Sequence, residues 1–186
     1  MPNYVTNVIK FKSRKKSTIS RLFRNILEKN NEFDFGIFLP MKDWGTKWNA
    51  GVTNIIFPDY DSIYGNKNPE RYHRKSPNVQ FKDLKLTELQ QHLKMEKGFY
   101  YFEITFKTAW SYPEPVINKI SSLNPEVEID ILFADENIGV NCGSYTMLNN
   151  VEENVVIAPS YDVQMESNTR YSWIKKACKI KSTHPA

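Results

Sequence analysis

The chain has 186 residues, of which 40% are hydrophobic and 13% aromatic, and it carries a formal net charge of +4. These fractions support one packed domain and exclude wholesale disorder. Its two cysteines, Cys142 and Cys178, fit neither a disulfide framework nor a metal-ligand spacing, and no apolar run is long enough to span a bilayer.

Tyr4 to Lys12 alternates and is rich in β-branched and aromatic residues, which predicts a strand over 4–11. Ser17 and Thr18 offer N-caps. Ile19, Leu22, Phe23, Ile26 and Leu27 then form the apolar stripe of a helix near 18–29. Phe33 to Met41 begins with alternation but ends at Pro40, so it is read as a lead-in packed on the core. Trp44, Thr46 and Trp48 alternate with Gly45 and Lys47, predicting a strand over 44–50.

From Pro58 to Lys97 no clean period holds until Phe81, and the segment is read as an insertion. Phe99 to Lys107 is the clearest strand. Tyr100, Phe102, Ile104 and Phe106 point one way, and Phe99, Tyr101, Glu103, Thr105 and Lys107 the other. Pro113 and Pro115 mark a helix start. Val116, Ile117, Ile120 and Leu123 supply its buried stripe over 114–123, and Pro125 stops it. Val127, Ile129, Ile131 and Phe133 predict a strand over 127–133, and two further short strands are expected over 139–147 and 155–157. A basic helical segment around Trp173 and Ile174 closes the chain.

Strand, helix, strand, strand, helix, strand is the order of a ferredoxin-like α+β domain. An antiparallel sheet with both helices on one face is therefore expected. The chain reads as a single domain, 1–186. Its core covers about 1–57 and 98–135, with an insertion over 58–97 and a C-terminal extension over 136–186. The other sheet face is either free or covered by that extension.

Charge is unevenly placed. Lys10 to Lys29 holds eight basic residues and one acid, whereas Glu114 to Glu136 holds six acids and one lysine. Lys175, Lys176, Lys179 and Lys181 follow in the tail. Such segregation steers association with charged partners, or it marks two solvated faces. The three histidines, His73, His92 and His184, are scattered, and no nucleophile has a partner at a recognisable spacing. The expectation is a protein with no catalytic site, metal or cofactor.

Several short motifs recur in one order. They are Met1-Pro2-Asn3-Tyr4 with Asn7, Trp44-Gly45-Thr46-Lys47-Trp48-Asn49-Ala50, and Phe106-Lys107-Thr108-Ala109-Trp110-Ser111 with Pro113. Asn124-Pro125 and Ala134-Asp135-Glu136 with Gly139 and Gly143 follow. Together they resemble the YubB ferredoxin-like domain family, small proteins of phages, prophages and plasmids. The resemblance covers roughly 1–57 and 98–145. It departs at Tyr4 and Val5, where the family usually has Trp and Cys, and at Tyr112, which precedes Pro113 where a second proline is usual. The family has no established catalytic residues. What the resemblance implies is therefore a fold and a mobile-element setting. From that setting comes the expectation of a non-enzymatic binding protein that acts on a host protein or ribonucleoprotein complex, such as an inhibitor of a CRISPR effector.

The candidate surface residues fall in three groups. Trp44, Lys47, Trp48 and Trp110 form an aromatic cluster if their strands are neighbours; otherwise they form a core layer. Arg14, Lys15, Lys16, Arg21 and Arg24 suit phosphates or an acidic protein face, or are a solvated helix face. Glu128, Asp130 and Glu136, with Glu126 and Asp135, suit a mimic of a nucleic-acid backbone or a divalent cation, or are an exposed strand face and loop. Nucleic-acid binding across an open sheet face is the competing expectation. With both cysteines read as reduced thiols and no apolar leader in Met1–Phe11, a cytoplasmic protein of the host cell with no membrane contact is expected.

Overall fold

The computed structural model describes residues 3–26, 32–39, 49–56, 90, 93, 95–109 and 111–183. Among these residues eight strands and four α-helices follow one another: β1 (Tyr4–Ser13), α1 (Lys16–Ile26), β2 (Glu32–Asp34), a 3-10 turn (Phe35–Ile37), β3 (Asn49–Ile56), β4 (Met95–Glu96), β5 (Phe99–Ala109), α2 (Glu114–Leu123), β6 (Glu128–Asp135), β7 (Cys142–Leu148), β8 (Val151–Ile157), α3 (Tyr161–Glu166) and α4 (Arg170–Thr183).

The sheet runs β2-β3-β5-β1-β6-β7-β8, with β4 paired to β5, and every pairing is antiparallel. Its centre, β3-β5-β1-β6, is the ferredoxin-like order: two split β-α-β units interleave, so β1 lies between β5 and β6. Register puts Phe11 opposite Phe102 and Ile129, and Ile9 opposite Ile104 and Ile131. These residues share one face. Ile19, Leu22, Phe23 and Ile26 of α1 and Val116, Ile117 and Ile120 of α2 close over it in a single core. Both helices thus cover the same face, as their apolar stripes require. Leu123, expected in that stripe, is exposed at the last turn of α2. There Asn124 caps Ile120 O through its backbone N–H and its side-chain Nδ2, and Pro125 prevents another turn.

The expected strand at 44–50 is represented by β3, which starts at Asn49 and runs on to Ile56; residues 44–48 lie outside the described residues. Phe33, Phe35 and Phe38 pack into the core from the segment read as a lead-in. Of the expected insertion, Leu93 is buried in the core and Met95–Glu96 forms a hairpin with β5. Lys97 and Gly98, both at positive φ, make its two-residue turn. Beyond Asp135, β7 and β8 prolong the main sheet. Asn149 and Asn150, at φ +49° and +62°, form the turn between them; asparagine tolerates this left-handed region better than most residues.

The second sheet face is partly covered by the C-terminal helix. Ala177 and Ile180 of α4 pack on Val8, Ala134 and Cys142, with Trp173, Leu132 and Ile138 at the margin. Cys142 is buried there, Cys178 is exposed on α4, and both are free thiols.

Gly139 is the pivot of the α4 attachment. Its φ is +84°, and an added Cβ would lie 2.9 Å from Arg170 Nη1 and 3.0 Å from the Ile174 backbone nitrogen. Gly139→Ala is expected to cost about 1–3 kcal/mol through strained backbone and forced displacement of α4. A urea midpoint within error of the parent protein would show that α4 yields freely.

Candidate interaction surface

The sheet face left open beside α4 carries two cross-strand rows of charge. Register aligns Glu103, Lys10, Asp130 and Thr146 in one row, and Tyr101, Lys12 and Glu128 in the next. Lys12 Nζ donates to Glu128 Oε1 at 2.6 Å and to Asp130 Oδ1 at 2.9 Å, and Thr146 Oγ1 donates to the same Asp130 oxygen at 3.3 Å. Burial alone would lower the Lys12 pKa. The hydrogen bonds and charges of Asp130 and Glu128 together outweigh it and hold the ammonium above its usual value. Lys10 Nζ sits 3.9 Å from the Tyr101 ring centre and 3.7 Å from Glu96 Oε2. Burial, with Asp130 adding to it, pushes the Glu103 carboxyl up against the opposing pull of Lys10. Between these rows and β8 lies a shallow groove of about 310 Å³, lined by Val8, Lys10, Glu103, Asp130, Leu132 and Asn154 among others.

This ladder is tied by three strands, so its removal should be felt. Lys12→Met leaves Glu128 and Asp130 facing each other without a cation. It is expected to cost about 1–2 kcal/mol, above the usual yield of an exposed pair because both carboxylates are half-buried. Adding Glu128→Gln and Asp130→Asn should recover most of that loss in urea denaturation. A loss below about 0.5 kcal/mol would reduce the ladder to ordinary surface charge.

The basic and acidic segments of the sequence meet instead of occupying opposite faces. Besides the Lys12 bonds, Lys15 Nζ donates to Glu126 Oε2 at 2.5 Å, and Thr18 Oγ1 donates to its other oxygen. The cause is topological: β1 and β6 are antiparallel neighbours, which places the start of α1 beside the start of β6. Arg14 stacks over Phe99 at 5.6 Å and Lys16 over Tyr100 at 5.7 Å. Arg21 is exposed, Arg24 half-buried and Glu136 exposed. Trp44, Lys47, Trp48 and Trp110 lie outside the described residues, so the expected aromatic cluster does too. Among the described residues no group of three His, Cys, Asp or Glu side chains is arranged to hold a metal ion, and no helix is long and apolar enough to cross a membrane.

A second surface lies at β8 and α3, outside the candidate residues of the sequence. β8 is the terminal strand of the sheet, and all seven of its residues are exposed. Val151, Val155, Val156 and Ile157 expose 45–57% of their surface, and Tyr161, Val163 and Met165 of α3 expose about as much. α3 is fixed in place. Buried Gln164 donates to Gly139 O at 2.9 Å and Pro159 O at 2.8 Å, and Arg170 donates to Gln164 Oε1 and Ile138 O. The sequence did carry a sign of this surface. Ile120 to Thr169 contains nine acids and no Lys, Arg or His. Glu126, Glu128 and Asp130 are the acids of that stretch paired to the basic segment, while Glu152, Glu153, Asp162 and Glu166 are exposed around β8 and α3.

With this geometry in hand, the comparison with known families bears on the same half of the chain. Residues 92–172, from the approach to β4 into the first turn of α4, match the family described as a ferredoxin-like domain in Api92-like protein. No curated protein and no solved structure matches the chain. The match agrees with a ferredoxin-like fold, and β7, β8 and α3 fall inside the matched residues.

Proposed function

We propose that this chain is a non-enzymatic binding module of a mobile genetic element. It attaches to a host protein or ribonucleoprotein complex and inhibits it, a host-defence complex such as a CRISPR effector being the finer form of this reading. The mobile-element setting rests on the resemblance carried by the short motifs. The preference for a protein partner rests on one observation: Lys12 and Lys15, at the heart of the basic segment, are engaged by Glu128, Asp130 and Glu126. Cations already paired to carboxylates release few counterions to a phosphate backbone, which reduces what these two lysines contribute to nucleic-acid affinity. The β8 edge of the sheet, by contrast, exposes Val151, Val155, Val156 and Ile157, side chains of the kind protein partners bury.

A second reading, direct nucleic-acid binding, draws on Arg14 over Phe99 and Lys16 over Tyr100. Cations beside aromatic rings can take phosphates and stack bases. Capture from host lysate with and without nuclease separates the two. A protein held equally after nuclease treatment supports the binding module. Capture that disappears with nuclease transfers the assignment to nucleic acid.

A further inference from the structure

Resting on the reading of a protein-binding module, we infer that β8 and α3 form its docking edge, and that the occupant is a basic segment with alternating apolar residues, added as a strand beside β8. Among the described residues no strand pairs with the outer edge of β8, so its backbone can pair with an extended segment. The side chains beside that edge are of two kinds: the apolar Val151, Val155, Val156 and Ile157, and the acidic Glu152 and Glu153. α3 exposes the same two kinds of side chain, with Tyr161, Val163 and Met165 beside Asp162 and Glu166. Nearby cations are already engaged within the chain: Arg170 bonds Ile138 O and Gln164 and lies over Tyr161, and Lys176 bonds Ser144 Oγ and Val156 O. A partner must therefore bring positive charge to an acidic rim and apolar groups to the valines.

The same features disfavour a second copy of this chain. An isologous contact would set Glu152, Glu153, Asp162 and Glu166 against themselves. Asn154, at φ +54°, also bulges β8 where its register with β7 shifts between Ser144 and Thr146, and such a bulge interrupts continuous edge-to-edge pairing. What remains open is a short pairing segment at Val155–Ile157, leading directly into α3. The Gln164 and Arg170 bonds hold α3 ready, so the surface needs little ordering when the partner arrives.

The test uses the full chain with short blocked peptides as probes: alternating lysine and valine, alternating glutamate and valine, and lysine with serine. Affinity is read by fluorescence anisotropy, and the site by backbone amide shifts. The lysine–valine peptide should bind and shift Val151–Ile157, while the glutamate–valine and lysine–serine peptides should not. Glu152→Lys with Glu153→Lys should weaken binding roughly tenfold and flatten its salt dependence. Val156→Lys should abolish it, and circular dichroism should stay unchanged because all three positions are exposed. Several results overturn the inference: no binding, binding indifferent to these variants, shifts confined elsewhere, or a dimer in sedimentation that Val156→Lys disrupts. In nuclease-treated lysate, a partner captured equally by parent and variants overturns the docking edge but leaves the binding module standing. No capture by the parent chain overturns both.

Discussion

Phe102→Ala should cost about 3–5 kcal/mol, the largest loss expected from any single truncation here. Phe102 is wholly buried at the centre of β5. Its ring stacks on Phe11 with centroids 4.8 Å apart and meets the edge of Phe23 at 5.0 Å, so it joins the sheet to α1. Truncation removes the aromatic surface from the core and leaves a cavity walled by two strands and a helix, which cannot collapse together. Against a total stability of about 5–15 kcal/mol for a domain, such a loss takes much of the margin. Urea denaturation at neutral pH measures it. Phe99→Ala, on the half-exposed opposite face of the same strand, should cost distinctly less. Equal losses at the two positions would contradict the assignment of faces.

The second large effect is alkaline. Burial pushes the Tyr112 hydroxyl up from 10.0 to about 12, and burial pushes Tyr145, which is 3% exposed, upward as well. The two rings lie 5.9 Å apart, with Tyr112 stacked on Phe133. The folded state favours the neutral phenol. Its contribution is therefore complete below the unfolded pKa of about 10 and is lost as pH rises from there toward the folded value. Each such buried group removes about 1.4 kcal/mol per pH unit over that interval. Lys12 acts in the same sense: its raised pKa stabilises below 10.5 and is lost above it. Stability measured by urea at successive pH values should hold to about pH 9.5 and then fall steeply. Tyr145→Phe should make the fall shallower by about one tyrosine's share. A flat profile through about pH 11 would mean that these hydroxyls reach water in the folded state.

How much of this was legible in the sequence differs by element. The apolar period of Ile19 to Ile26, the alternation of Phe99 to Lys107 and the prolines around 113–125 identified α1, β5 and α2, because burial on one face writes its period directly into the chain. Strand order and the shared face of the helices followed from the order of the elements. The candidate surface was harder to read. Glu128 and Asp130 read in the sequence as a free acidic face, and Lys15 as part of a basic one; only the pairing of β1 with β6 sets Lys12 between Glu128 and Asp130 and brings Lys15 to Glu126. The sequence predicts only three residues of β8, since Glu152, Glu153 and Asn154 break the alternation, yet its strand begins at Val151 because the Asn149-Asn150 turn returns the chain along β7. The sequence by itself determined which residues must be buried, because transfer of apolar groups from water depends on residue type and local period alone. The tertiary structure alone decided which charges meet and which strand stands at the edge. Those outcomes depend on register between segments more than a hundred residues apart, as with Lys12 and Glu128, and no local period records such a register.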